Sequence, residues 1–231
     1  MATIAGQNLS VREINAKIKE LIAQGETEIA VQGTAARHNF GVAILQPVKV
    51  TFEGSVGYYC AGLIDGPTIE IKGSAGWGVA ESMMNGAVIV HGNAGNGAGA
   101  AIRSGTVVIH GDAAARAGVA MKGGLVLIGG DCGYMSGFMG QKGKIIVCGD
   151  AGAAFGDSMY ATICYVGGAA NDLGNDAVIE ELTAEDEDFL QSALSPHFPD
   201  KAKSAGNFKK VVAGGKLWNF EKHEQAWREA L

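Results

Sequence analysis

The sequence is poor in proline, with 4 in 231 residues, and no stretch approaches the roughly 18 unbroken apolar residues that a membrane span needs. Its N-terminus lacks the charged-then-apolar order of a signal peptide, so a cytoplasmic location is expected. Lys and Arg total 18 against 24 Asp and Glu, a formal net charge of -6, and the basic residues nowhere cluster. That argues against a nucleic-acid surface, because a phosphate backbone is held by grouped Lys and Arg. The four cysteines, Cys60, Cys132, Cys148 and Cys164, show no C-x-x-C spacing. Neither a zinc knuckle nor a ferredoxin-type cluster site is indicated, and the thiols are read as reduced and structural.

What the sequence has in excess is glycine, 36 residues in a chain that is 47% apolar. Flexible linkers combine glycine with serine and little apolar content, whereas these glycines alternate with runs of Val and Ile that suit strands. Gly54, Gly73, Gly92, Gly111, Gly130, Gly149 and Gly168 stand 19 residues apart, since 168 - 54 = 114 = 6 × 19. Three residues later a second column reads Gly57, Gly76, Gly95, Ala114, Gly133, Gly152 and Asn171, and Gly99, Gly118, Gly137 and Gly156 form a third. Gly86, Gly105, Gly124 and Gly143 form a fourth.

Two columns just before the first are apolar throughout: Val50, Ile69, Val88, Val107, Val126, Ile145, Cys164, and Phe52, Ile71, Val90, Ile109, Ile128, Val147, Val166. Residues two apart on a strand share a face, so each repeat carries a short strand with one buried face. A unit this short cannot bury that face alone and must stack on copies of itself. The expected fold is all-β: a right-handed parallel β-helix of about seven 19-residue coils, roughly 29 Å long at about 4.8 Å per coil. A left-handed hexapeptide β-helix is disfavoured because 19 is not a multiple of six. Corner glycines are expected where the chain turns sharply, often with φ > 0, and where stacked corners leave no room for a Cβ. A valine at Gly111 or Gly130 is therefore expected to cost several times what one costs at Gly97, outside the repeated columns.

The ends differ from the repeat. Residues 1–27 are expected to hold a helix that opens on the capping box Ser10 to Glu13, has Val11, Ile14, Ile18, Leu21 and Ile22 on its apolar side, and ends near Gly25. The β-helix is placed at 28–171, beginning with a less regular coil up to Pro47. A tail, 172–231, contains a helix capped at Thr183 and ended by Ser195-Pro196, then a final helix from about Glu221. The tail is read in two ways, as a cap on the open end of the β-helix or as an arm gripping a partner through Trp218 and Trp227.

Three sets of residues invite chemistry. Ser55, Ser74, Asn93, Asp112, Asp131 and Asp150 form a polar column; stacked carboxylates would suit calcium in a carbohydrate-active β-helix, but the mixed charge favours a recurring turn. His91 and His110 fall on adjacent coils and are read as an outward ladder. The run Gly92 to Gly99 lacks the Lys-Ser/Thr of a phosphate loop. Between the two buried columns, Ile89, Val108, Leu127, Ile146 and Tyr165 should face outward as an apolar stripe, to be covered by another subunit or by the C-terminal segment. With Trp218 and Trp227 they are the candidate partner interface.

The iteration Gly92-Asn93-Ala94-Gly95 through Gly99, and Gly130-Asp131-Cys132-Gly133 through Gly137, resembles the GXGXG β-helix domain at the C-terminal end of the large subunit of glutamate synthase. The same domain type occurs in formylmethanofuran dehydrogenase, within one of its several subunits. With its short N-terminal helix and its tail from Phe208 to Phe220, the chain looks most like the glutamate-synthase-like subunit of the N-methylglutamate synthases. The resemblance implies a scaffold without catalytic residues, cofactor or metal of its own. Its implied partners are a glutaminase-like subunit of class II amidotransferase type and an FMN-binding synthase-type subunit that holds FMN and an iron-sulfur cluster. Together they would make N-methylglutamate from methylamine and glutamate. A free-standing carbohydrate-active enzyme using Asp112, Asp131 and Asp150 is the reading from another class.

Overall fold

In the computed structural model, which describes residues 1–217, the chain is a parallel β-solenoid of about seven turns. In chain order the elements are β1 (Ala2–Ala5), α1 (Val11–Ala23), β2 (Glu28–Gln32), β3 (Lys49–Phe52), β4 (Asp65–Ile71), β5 (Asn85–Val90) and β6 (Thr106–Ile109). There follow β7 (Lys122–Ile128), β8 (Lys142–Val147), β9 (Ala161–Val166), β10 (Ala177–Glu180), α2 (Ala184–Leu194), α3 (Pro199–Ala202) and β11 (Lys209–Ala213). The strands form one sheet in the order β1 to β9, then β11, then β10.

The repeat sets the register. Val50, Ile69, Val88, Val107, Val126, Ile145 and Cys164 pair in sequence across β3 to β9, each with the residue 19 places on, and so does the Phe52 column. All fourteen side chains of these two columns are buried. A second ladder of single bridges links Val56, Ala75, Ala94, Ala113, Cys132 and Ala151 around the corner.

The rest of each coil is an arc in which alternate residues occupy the left-handed region. Tyr59, Ala61 and Leu63 have φ of 58°, 57° and 57°, and Arg116, Gly118 and Ala120 have 62°, 67° and 52°. The alternation turns successive amides toward opposite neighbours: Tyr59 N–H donates to the Trp77 carbonyl on the next coil, Ala61 N–H to Phe40 on the previous one. These inter-coil bonds offset the roughly 1–2 kcal/mol that a left-handed conformation costs a residue with a Cβ. Gly118 is required twice over, because a Cβ there would also meet Ile145 Cδ1 at 2.6 Å in the core.

Of the two causes expected for the corner glycines, the close approach of stacked corners is the one at work along the Gly54 column. From Gly73 onward that column does not have positive φ. A Cβ at Gly111 would instead collide with Asn93 Oδ1 on the coil below and press on the Gly92 carbonyl carbon at 3.1 Å. Gly97, in contrast, lies inside a repeated left-handed position, φ 70°, shared with Tyr59, Gly78, Arg116, Met135 and Ala154. A valine there is strained by its backbone, so it is not the mild control that the glycine spacing suggests.

Both ends are closed. The N-terminal segment holds a strand as well as the predicted helix: β1 pairs in parallel with β2, and α1 buries Ile14 and Ile18 over the first coil. The capping box between Ser10 and Glu13 is present. The Arg37 guanidinium ties this end together by donating to the carbonyls of Gly6, Leu9, Gly33 and Thr34. At the other end β11 runs antiparallel between β9 and β10, so reversed strands finish the sheet.

Between β10 and β11 the chain crosses back over the stripe. Val108, Leu127, Ile146 and Tyr165 are buried against Leu190, Leu194, Ala202, Ala205 and Phe208, with Ile89 half-buried at the margin. The C-terminal segment is therefore what covers the stripe, and its four later members do not form an open partner surface. The burial of these apolar residues is what holds α2 and α3 on the sheet. Trp218, Trp227 and the helix expected from Glu221 lie outside the described residues.

Candidate functional site

The polar column is committed to the backbone. Asn93 Oδ1 accepts the Asp112 N–H at 2.9 Å, Asp112 Oδ1 that of Asp131 at 2.9 Å, and Asp131 Oδ1 that of Asp150 at 2.7 Å. Asp150 Oδ1 passes the pattern to Ala169, and Ser55 and Ser74 begin it. Each side chain reaches the amide 19 residues on, so the column clamps coil to coil. Among the described residues no group of three His, Cys, Asp or Glu is arranged to hold a metal ion.

The thiols are set for packing. Cys60 and Cys164 are buried, and desolvation pushes their pKa values far up; Cys132 is raised by the same cause and Cys148 to about 11. A thiol so shifted yields little thiolate, the form that attacks or ligates.

His91 and His110 stack with ring centroids 5.1 Å apart and 3° between planes, as adjacent coils require. Two neighbours were not visible in the sequence columns. Glu70 accepts from His91 Nε2 at 2.8 Å and pairs with Lys49 and Lys72, and the Lys72 hydrogen bond leads the set that outweighs desolvation and holds the Glu70 carboxyl near 2. On the other side, His197 of the covering tail meets His110 edge-on at 6.0 Å. Burial lowers the pKa of both His110 and His197, and His91 and His197 lower His110 further.

The covering tail is fastened by one buried carboxylate. Asp186 receives hydrogen bonds from Tyr165 Oη at 2.6 Å, from Thr183 and from Lys210 Nζ at 3.0 Å. Burial acts to raise its pKa, but these bonds prevail and hold it well below the usual carboxylate range.

The feature that structure-making leaves unused is aromatic. Tyr58, Trp77 and Tyr134 are 48%, 55% and 51% exposed on the arc face, away from the stripe and the tail that covers it. Their numbers fit the repeat, 77 - 58 = 19 and 134 - 77 = 57 = 3 × 19, and a periodic scan of aromatic residues would have found them. His38, Tyr58 and Trp77 stack in order, with centroid distances of 4.4 and 5.4 Å and interplanar angles of 17° and 16°. Beyond Trp77 the face opens into a trough of about 670 Å³ lined by Asn96, Gly97, Ala100, Arg116, Val119 and Tyr134. A wide trough with stacked, exposed rings fits association with another molecule better than it fits catalysis.

Residues 6–207 match the family described as GXGXG motif. The chain belongs to the GXGXG motif family, a glutamate-synthase-like group. Protein GlxC of Rhizobium meliloti (strain 1021) is similar over a shorter stretch, 42% identical across 63 residues, which is 26% of this chain and 27% of that protein. That match spans about a quarter of the relative's length. Among the described residues no helix is long and apolar enough to cross a membrane.

Proposed function

We propose that this GXGXG chain is the non-catalytic scaffold subunit of a glutamate-synthase-like complex, and that the complex is an N-methylglutamate synthase. Its partners are a glutaminase-like subunit and a synthase-type subunit with FMN and an iron-sulfur cluster. The observation that carries the reading is the disposition of the reactive side chains. The aspartates of the polar column clamp the backbone, the thiols are buried, and the aromatic trough is left as the surface for association. The same commitment of Asp112, Asp131 and Asp150 speaks against a carbohydrate-active site built on them.

The test is purification of the tagged full chain from its own cells, with native mass spectrometry of what accompanies it. The reading expects a flavin-bearing partner and a glutaminase-like one. It also expects N-methylglutamate formation from methylamine and glutamate by the complex, lost when this subunit is omitted on reconstitution. A chain recovered alone removes the scaffold reading; partners of glutamate synthase or formylmethanofuran dehydrogenase type would reassign the complex.

A further inference from the structure

The aromatic ladder on the arc face is interrupted. It runs His38, Tyr58, Trp77, then passes through Asn96 and Ala115, whose side chains are too short to continue it, and resumes at Tyr134. The backbone positions of Trp77 and Tyr134 are three coils apart, about 14 Å at roughly 4.8 Å per coil. Aromatic pairs favour centroid separations of about 4.5–7 Å. A single ring in the gap would sit about 7 Å from each wall, at the edge of that range, whereas two rings divide it into three steps of about 5 Å.

The gap is kept open by its own residues. Asn96 is turned aside, its Oδ1 accepting the Ala115 N–H at 3.1 Å, and a Cβ at Gly97 would find only Ala100 within 4 Å. Its charges are of opposite sign: Glu81 stands beside Gly78 near the Trp77 wall, and Arg116 follows Ala115 on the coil next to Tyr134. A guanidinium in that place can lie over an inserted ring.

From this geometry we infer that the slot between Trp77 and Tyr134 receives two stacked aromatic side chains from one polypeptide segment of a partner subunit. Side chains four apart on a helix have the spacing, about 5–6 Å between Cβ atoms. Glu81 calls for a basic residue on the segment's Trp77 side. The single Arg116 and the chain's net charge of -6 make a polynucleotide, whose phosphates need several cations, the poorer fit. The inference rests on the scaffold reading and adds the chemistry of its contact.

Ala115→Phe tests it, because the new ring continues the ladder from Tyr134 in cis and takes one of the two ring places, so that the pair cannot enter, while the Asn96 bond to the backbone is kept. The variant is expected to unfold in urea at or above the wild-type midpoint, and recovery of the native complex should fall about tenfold or more, as when a central contact is lost. Ala115→Ser should assemble like the wild type. Hydroxyl-radical footprinting of the unmodified protein gives an independent reading: Trp77 and Tyr134 should be oxidised in the isolated chain and protected in the complex. Carbodiimide should join Glu81 to a lysine in a partner segment that carries two aromatic residues. Ala115→Phe assembling normally with the same partners overturns the slot and leaves the scaffold standing. Equal protection in the isolated chain overturns it too, since the occupant would then be residues 218–231 or a second copy. A wild-type chain that recovers no partner takes down both.

Discussion

The coil-to-coil clamp can be tested at Gly111 with a double-mutant cycle. In Gly111→Ala the new Cβ collides with Asn93 Oδ1, so the amide must swing away and the Asp112 N–H loses its acceptor. At this exposed position the lost hydrogen bond costs about 1 kcal/mol. The remaining contacts with the Gly92 carbonyl group, at 3.0 and 3.1 Å, add roughly 1 kcal/mol of overpacking. The sum is about 2 kcal/mol. Asn93→Ala alone removes the acceptor and leaves the glycine unstrained, a loss of about 1 kcal/mol. In the double variant the clash is gone and the hydrogen bond is lost only once, so it should lie about 2 kcal/mol below the wild type rather than the roughly 3 that simple addition gives. Gly97→Ala, with open space around its Cβ but φ of 70°, should cost about 1 kcal/mol. Urea denaturation followed by far-ultraviolet circular dichroism reads all four. Additivity within about 0.5 kcal/mol, or a Gly97→Ala loss equal to that of Gly111→Ala, would refute the close-approach explanation of the column.

Three further outcomes are expected. His110 and His197 have lowered pKa values in the fold, so the unfolded chain takes up protons first; stability should be complete above about pH 6.5 and decline as pH falls below it, and a His110→Gln, His197→Gln variant should flatten that decline. Asp186→Ala leaves Tyr165 Oη without its acceptor and Lys210 with Glu180 alone at 3.7 Å, a loss of about 3 kcal/mol, and limited proteolysis should cut within 183–208 while the coils stay intact. The Thr162 hydroxyl is buried without a hydrogen-bond partner beside Gly140, so Thr162→Val should stabilise the protein by about 1 kcal/mol in thermal or urea unfolding.

The Val50 and Phe52 columns were legible because a strand repeats its facing every second residue and the solenoid repeats it every 19, so buried positions recur at fixed numbers. The same logic marked the Asp112 column as backbone-bonding, but the amide that each side chain reaches belongs to the next coil, 19 residues on, and not to its own turn. The arc was not legible: its inward residues, such as Cys60, Val79, Ala98 and Phe155, share no residue type, and its left-handed positions accept Tyr59, Arg116 and Met135 as well as glycine. The Glu70 set escaped because its members come from different columns, and Arg37 because its four carbonyl partners converge only once the first coil closes.

The 19-residue period by itself determined the stack, its register and its core, because in-register parallel coils place equivalent residues on top of one another. It did not determine what lies over the outer face. Val108, Leu127, Ile146 and Tyr165 read as exposed from their place on the strands, and their burial depends on a tail folding back across up to four coils to a carboxylate at Asp186. Such a contact between distant segments leaves no periodic trace. The tertiary structure thereby moved the open surface from the apolar stripe to the aromatic arc of Tyr58, Trp77 and Tyr134 on a different face of the rod, where the repeat leaves a gap.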